Sequence, residues 1–187
     1  YKGLRYLLDA LAQAEQPAHL LVAGAFYYNE GAYREQIARL GLGARVTLHN
    51  RYIANEAIEA YFAAADALVL PYLTGSQSGV AMTAIHYGLP VIASAVGGLA
   101  ETVTDGESGL IVPPGNAAAL ARAIDRFFGE NLGQRLRAAT VQSRDRLSWA
   151  ALIRIIEELS YELANAGASQ TGRSQGADRP HGHRPSL

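Results

Sequence analysis

Residues 71–98, PYLTGSQSGVAMTAIHYGLPVIASAVGG, decide how this chain folds. The apolar run Ala67–Leu70 leads into them and predicts a strand. Gly79–Tyr87 predicts a helix that stops at Gly88, since glycine commonly follows the last turn of a helix. Val91–Ala95 then predicts a second strand. A strand, a glycine-rich loop, a helix and another strand form the repeating pattern of a parallel sheet.

Helices and strands alternate over the rest of the chain. Apolar residues at helical spacing, such as Leu4, Leu7 and Leu11, predict helices, and short apolar runs predict strands. Asn55 and Asn116 are predicted N-caps. The predicted helices cover 3–15, 32–40, 56–65, 116–128, 132–146 and 149–164, and the further strands cover 19–23, 46–48 and 110–112. This alternation predicts an α/β fold with a doubly wound, Rossmann-like parallel sheet.

The composition excludes several classes of function. The 187 residues suit one domain, and the net charge of -1 gives no electrostatic argument for a nucleic-acid partner. Because the chain has no cysteine, it has no disulfide and no thiolate metal site. No apolar run approaches the roughly 20 residues of a membrane-spanning helix, and we expect a cytoplasmic protein. We predict a folded domain over 1–166 and a disordered polar tail over 167–187.

Ligands of such sheets bind beyond the carboxyl ends of the strands. The loops at that edge are 24–31, 50–55, 71–79 and 95–99. In the third loop, Gly75 and Gly79 leave room for a ligand close to the backbone. The amides of Gly79 and Val80 begin a helix, where unpaired N–H groups and the helix dipole attract an anion. Gln77 and Ser78 add side-chain donors, so the loop predicts a phosphate site. The plain alternative is a flexible turn that requires small residues.

An ordered set of motifs carries a resemblance to a known family. The motifs are Lys2-Gly3, LLVAG at 20–24, YFAAADALVLPY at 61–72, GLPVIASAVGGLAETVTDGESGLIVPP at 88–114, and Trp149. Together they resemble the C-terminal, donor-binding domain of a retaining glycosyltransferase with the GT-B fold. The resemblance covers residues 1–164, and the block 88–114 is its most specific part.

The resemblance implies a reaction. In this family a nucleotide-diphosphate sugar binds to the C-terminal domain. The sugar then passes, with retention of configuration, to a glycan or lipid-linked acceptor held by an N-terminal domain. No metal or other cofactor is implied, because a lysine, an arginine and helix-end amides stabilise the charge of the departing diphosphate. Peripheral association of the full-length protein with the inner face of the membrane is also implied.

The family's functional residues carry over to positions of this chain. Lys2 matches the catalytic lysine that contacts the diphosphate, and the arginine that accompanies it would precede Tyr1. Gly79 and Val80 match the amides that face the donor phosphates or the sugar hydroxyls. The loop that packs beside the nucleotide base is matched by Arg51, Tyr52 and Ile53.

One departure from the family pattern concerns the donor sugar and the ribose. Most members have two glutamates in this region, and the matching positions here are Gly75 and Thr83. The stretch instead resembles a variant branch with Gln-Ser-Gly-Val at residues 77–80. In this chain the resemblance then leaves the ribose contact to Thr83 or to backbone groups.

Each of these residues also has an ordinary structural interpretation. Lys2 and Arg51 are then solvated surface cations, and Tyr52 packs instead of stacking on a base. The segment 97–101 forms a turn and a short helix. His86, on a helix of apolar residues, is interpreted as a packed or hydrogen-bonded histidine. No metal site is predicted.

The family's domain begins with a central strand ahead of Lys2, so we expect a fragment. Such a fragment has a gap between strands 19–23 and 67–70 and transfers no sugar by itself. An alternative function is a non-catalytic nucleotide-binding accessory subunit that pairs with a separate acceptor-binding chain, and the two missing glutamates favour it. A sugar-nucleotide epimerase on the same fold would be expected to show acidic catalytic groups in the cleft, and none is identified there.

Overall fold

The computed structural model describes residues 1–26, 30–75, 77–146 and 153–162. Helices and strands alternate along these residues, as the sequence predicts. In chain order the elements are α1 (Leu4–Gln13), β1 (Leu20–Ala23), α2 (Glu30–Arg39), β2 (Val46–His49), α3 (Asn55–Ala64), β3 (Leu68–Leu70), α4 (Gly79–His86), β4 (Val91–Ser94), α5 (Leu99–Thr102), β5 (Gly109–Val112), α6 (Ala117–Gly129) and α7 (Leu132–Arg146). The predicted short helix after the glycine pair is α5.

The strands are parallel and form two sheets. In the first sheet β1 pairs with β2, with Leu20 opposite Val46. In the second the order is β3-β4-β5, so β4 is the central strand. No strand of the described residues joins β1 to β3, which agrees with the expected gap between them. The predicted α/β class with parallel strands is confirmed.

The burial of the strands follows their positions in these sheets. All four residues of β4 are buried, because β4 is paired on both edges and covered on both faces. In β1, burial alternates between half-buried and exposed residues, and Leu21 is 40% exposed. The first sheet is therefore covered less completely than the second.

Within the described residues, three apolar clusters hold the helices on the sheets. The largest packs α1 and α6 against β4 and β5, through residues such as Leu7, Ile124 and Leu110. A second cluster joins β3, β4, α4 and α5. The third joins α1 to α2 through Leu8 and Ile37. Because α1 contributes to the first and third clusters, it connects the cores beneath the two sheets.

Two asparagines are predicted to cap helices, and the structure confirms one of them. Asn116 is the N-cap of α6, where its carboxamide oxygen accepts a hydrogen bond from the amide of Ala119 at 2.9 Å. The prediction that Asn55 caps α3 is wrong. Ala54 takes the N-cap position, no side-chain cap hydrogen bond forms, and Asn55 is the first residue of the helix. Extended backbone at Ala54 (φ -64°, ψ 148°) is enough to begin the helix there.

The end of the chain is described only in part. Residues Tyr1–Arg144 form one compact unit and Asp145–Leu187 a second. In the second unit, residues 153–162 are helical and lie within the predicted helix 149–164. The predicted tail 167–187 lies outside the described residues, and the domain boundary at 166 stays a prediction. Among the described helices, none has the length and hydropathy that crossing a membrane requires.

Candidate functional site at the carboxyl ends of the strands

The glycine-rich loop between β3 and α4 has a defined shape at both ends. Tyr72 is buried at the beginning of the loop, and its hydroxyl lies 3.5 Å from the hydroxyl of Ser78 at the end. Ser78 is the N-cap of α4, and its side-chain oxygen accepts a hydrogen bond from the amide of Ala81 at 3.3 Å. Ser78 therefore positions the first turn of α4, a role that the sequence analysis did not assign to it. Gln77 is exposed beside it.

The first two amides of α4 are available to a ligand. The carbonyl of Ser78 accepts from the amides of Ala81 and Met82. The amides of Gly79 and Val80 make no hydrogen bond to any other residue in the described ranges, and both residues are exposed. Unpaired N–H groups at the positive end of a helix dipole bind anions. The arrangement has the geometry that the sequence predicts for a phosphate site.

Contacts of the chain's first residues place Lys2 beside this loop. The amide of Leu73 donates to the carbonyl of Tyr1 at 2.8 Å, and the rings of Tyr1 and Tyr72 meet edge to face at 6.0 Å. Gly3 packs directly on the carbonyl of Pro71. Lys2 lies between these anchored residues, is exposed, and makes no ion pair within the described part of the chain. It is also the only lysine of the sequence.

The loop after β2 holds the three residues that match the base-binding loop. Arg51 and Tyr52 are exposed, Tyr52 to 77%, and Ile53 is half-buried. The Nη2 group of Arg51 reaches the Tyr61 hydroxyl at 3.5 Å, and that hydroxyl is 2.8 Å from Nδ1 of His49. His49 and Tyr61 therefore support this loop. The sequence analysis missed both, because only the crossing of α3 over the end of β2 brings them together.

A second network connects β2 to the beginning of α2. The carboxamide oxygen of Asn50 accepts from the amide of Phe26 at 2.8 Å, and its nitrogen donates to the Glu30 carboxylate. The guanidinium of Arg34 also donates to Glu30, at 2.8 Å from Nε. These hydrogen bonds, that of Arg34 first and that of Asn50 second, hold the pKa of Glu30 below its ordinary value of 4.5. Tyr27 and Tyr28 of the same loop lie outside the described residues.

A cavity of about 420 Å³ lies between α3 and α4. The residues that line it are Asn55, Ile58, Met82, Thr83, His86 and Tyr87. Thr83 is the one predicted site residue among them and lies one turn after Gly79, while Asn55 lies two positions after Ile53 in the sequence. None of the three loop residues lines the cavity itself. The Thr83 hydroxyl donates to the carbonyl of Gly79 at 2.9 Å.

The interpretation of His86 as a packed or hydrogen-bonded residue is wrong. Its side chain is exposed, and its ring contacts only the edge of Tyr87, at 5.1 Å between centroids, among the rings that the structure describes. No hydrogen bond of the imidazole to another described residue is found. The helix is apolar overall, but position 86 faces the cavity between the helices and not the core.

No metal centre is found among the described ranges. Within residues 1–26, 30–75, 77–146 and 153–162, no group of three or more histidine, cysteine, aspartate or glutamate side chains could hold a metal ion. The expectation that the reaction needs no metal stays a prediction.

Comparison with protein families and curated proteins gives consistent matches. The family model described as glycosyl transferases group 1 matches residues 1–130. The D-inositol 3-phosphate glycosyltransferase of Streptomyces griseus is 37% identical over 113 residues, which make up 60% of this chain and 24% of that protein. The chain therefore spans about a quarter of the length of this curated relative.

Solved structures share the fold over most of the chain. Sucrose-phosphate synthase of Thermosynechococcus elongatus superposes with a TM-score of 0.68 at 36% identity, over 88% of this chain and 43% of that one. Anabaena HepE, solved in complex with UDP, gives a TM-score of 0.71 at 28% identity, over 86% of this chain and 46% of that one. HepE was also solved in complex with UDP-glucose.

Proposed function

Because this chain belongs to the group 1 glycosyltransferases, we propose that it forms the donor-binding part of a retaining glycosyltransferase of the hexosyltransferase type. Its donor is a nucleotide-diphosphate sugar. Its acceptor is a glycan or a lipid-linked acceptor, held by an N-terminal domain. The full-length enzyme works in the cytoplasm, at the inner face of the membrane.

The observation that carries the proposal is the pair of free amides at the beginning of α4, which we propose as an anion site. Two unpaired amides, those of Gly79 and Val80, face the carboxyl edge of the second sheet. The only lysine, Lys2, is anchored beside the loop that leads to them. An amide pair and a lysine suit a diphosphate, and HepE, which shares this fold, was solved in complex with UDP.

The chemistry that we propose for these groups is electrostatic. When the bond between the sugar and the diphosphate breaks, negative charge develops on the departing diphosphate. The ammonium of Lys2 and the amides of Gly79 and Val80 stabilise that charge, and preorganised donors are worth most where water is excluded. Arg51, Tyr52 and Ile53 contact the base of the donor. The rest of the donor is contacted by Gln77, Ser78 and Thr83. No metal is required if these groups supply the positive charge.

Calorimetric titration with UDP, GDP and ADP tests the proposal. We expect one nucleotide diphosphate to bind, and Lys2→Ala to weaken it about 10-fold to 150-fold, the loss expected of a charged hydrogen bond. Arg122→Ala, which removes an exposed cation from α6, is the matched control and should leave binding unchanged. Failure of all three nucleotides to bind to a folded chain would overturn the proposal.

The second candidate, a nucleotide-binding accessory subunit, is favoured by Gly75 and Thr83 at the two glutamate positions. It predicts the same binding but a different result in a transfer assay. Joined to the acceptor domain of a relative, the donor part of an enzyme should transfer sugar from the nucleotide-sugar that it binds. An accessory subunit should only bind it.

A further inference from the structure

The cavity between α3 and α4 has the composition of a small-molecule site. Ile58 of α3 and Met82 of α4 form apolar walls with Tyr87. The ring of Tyr87 is fixed by Phe62 of α3, at 5.3 Å between centroids. Met82 is 45% exposed, so part of this apolar lining is open to solvent. Apolar walls with a few polar groups are typical of pockets that bind organic ligands.

Two polar side chains at this cavity are not used by the fold. Neither the carboxamide of Asn55 nor the imidazole of His86 has a hydrogen bond to another residue that the structure describes. Thr83 differs from them, because its hydroxyl proton is committed to the carbonyl of Gly79. Asn55 and His86 can each donate and accept a hydrogen bond.

The geometry of α4 sets the distance from the anion site to this cavity. Thr83 and His86 follow Gly79 by four and seven residues, so all three lie on one face of the helix. At a rise of about 1.5 Å per residue, they lie roughly 6 Å and 10 Å along the axis from the helix start. A nucleotide whose diphosphate meets the amides of Gly79 and Val80 can therefore extend its nucleoside along this face into the cavity.

We propose that Asn55 and His86 are specificity-determining contacts of the donor nucleoside. The nucleoside lies against Ile58, Met82 and Tyr87, and the two polar side chains hydrogen-bond to it from opposite walls. This assignment rests on the proposed function and extends it. The two side chains that hydrogen-bond to the nucleoside then lie outside the Arg51–Ile53 loop. They would act in a chain that has Thr83 at the position where most members of the family have a glutamate.

The experiment distinguishes contacts to the nucleoside from contacts to the phosphates. Asn55→Ala and His86→Ala are compared with the wild-type chain for binding of UDP and GDP by calorimetry. Uridine, guanosine and inorganic pyrophosphate are followed by ligand-observed NMR. The matched controls are Gln134→Ala, an exposed amide on α7, and His19→Ala, an exposed histidine before the amino end of β1. Circular dichroism confirms that every variant is folded.

We expect each cavity variant to weaken the preferred nucleotide and its nucleoside by the same factor, about threefold to tenfold, which is the usual range for one hydrogen bond. Pyrophosphate binding should not change, and the controls should match the wild type. If the wild-type chain binds a nucleotide and the cavity variants bind it equally well, this inference is overturned and the proposed function stands. Equal weakening of pyrophosphate also overturns it. If no nucleotide binds to the wild-type chain, both the inference and the proposed function are overturned.

Discussion

At Gly3 the backbone has φ +72°, and a Cβ atom there would lie 1.8 Å from the carbonyl oxygen of Pro71. In Gly3→Ala, the alanine must adopt a left-handed backbone, which costs about 1–2 kcal/mol. Its methyl group must also push two backbone segments apart. Gly41→Ala is the matched control, because Gly41 has φ +68° and nothing within 4 Å of the added atom. We expect urea denaturation to give a clearly larger loss of unfolding free energy for Gly3→Ala than for Gly41→Ala.

Equal losses in the two glycine variants would mean that the chain before α1 yields easily and that Lys2 is not held in place. If Gly3 anchors Lys2 as the contacts indicate, Gly3→Ala should also weaken nucleotide binding, while Gly41→Ala should not.

The residues of the site were predictable from the sequence to different degrees. Gly79 and Val80 could be predicted, because a helix start after a glycine-rich loop leaves amides unpaired whatever the rest of the fold does. The capping role of Ser78 could also have been predicted, because a serine directly before a helix is a common N-cap. His49 and Tyr61 could not be predicted as a pair, since they meet only when α3 crosses the end of β2. His86 was misjudged because an apolar helix was assumed to be apolar on every face.

Among the helices, α4 and α6 have the same kind of N-cap but different proposed roles. Ser78→Ala and Asn116→Ala each remove a side-chain hydrogen bond to the helix start, at Ala81 and Ala119 respectively. We expect each variant to lose about 0.5–2 kcal/mol of unfolding free energy. Only Ser78→Ala should also weaken nucleotide binding, because only α4 begins at the proposed anion site. A matching loss of binding in Asn116→Ala would indicate that global stability, and not the start of α4, controls affinity.

The beginning of α2 predicts a dependence of stability on pH. The pKa of Glu30 is lower in the folded chain than its ordinary value of 4.5, since Arg34 and Asn50 hydrogen-bond to the carboxylate. The network therefore adds stability at pH above the unfolded pKa and loses it as pH falls through the folded pKa. In Glu30→Gln, we expect the melting temperature to fall relative to wild type near neutral pH, and the difference to shrink at lower pH.

Glu35→Gln on the same helix is the control for this pH series. Glu35 is exposed and has no ion pair or hydrogen bond to another residue in the described ranges. A constant difference between wild type and Glu30→Gln from neutral to acidic pH would contradict the predicted linkage. So would an equally pH-dependent effect of Glu35→Gln.

The elements were predicted more reliably than their details. Apart from the short helix α5, each described helix and strand lies within a few residues of where the apolar pattern predicts it, because periodicity is a property of the segment alone. The error at Asn55 has a simple cause. Asparagine is favourable at an N-cap, but the cap is set by backbone geometry, and the chain turns one residue earlier, at Ala54.

For the whole molecule, the two separate sheets predict an uneven pattern of amide exchange. The amides of Leu20 and Gly24 donate to β2 or to the segment before it, so the amides of Leu21 and Ala23 point away from β2. In the same way, Leu68 donates towards β4, and the amide of Val69 points away from it. We expect NMR-detected exchange at Leu21, Ala23 and Val69 to be faster than at neighbouring paired amides of the same strands.

The amides of β4 provide the reference, since this strand is buried along its full length and paired on both edges. Protection of Leu21 and Val69 as strong as that in β4 would contradict two open edges. The gap itself was expected from the resemblance, but no local pattern in residues 1–187 predicts it, because a gap depends on which strands are neighbours.

The position of α1 has a consequence for how the site keeps its dimensions. The Arg51–Ile53 loop follows β2 of the first sheet, and the glycine-rich loop follows β3 of the second. The two sheets share no strand pairing within the described ranges. The helix α1 packs against the core of each sheet and so joins them. Because α1 belongs to both cores, a shift of this helix would move the two loops relative to each other. If both loops contact the donor as proposed, we expect a substitution at Leu8, a buried residue of α1 outside both loops, to change nucleotide affinity.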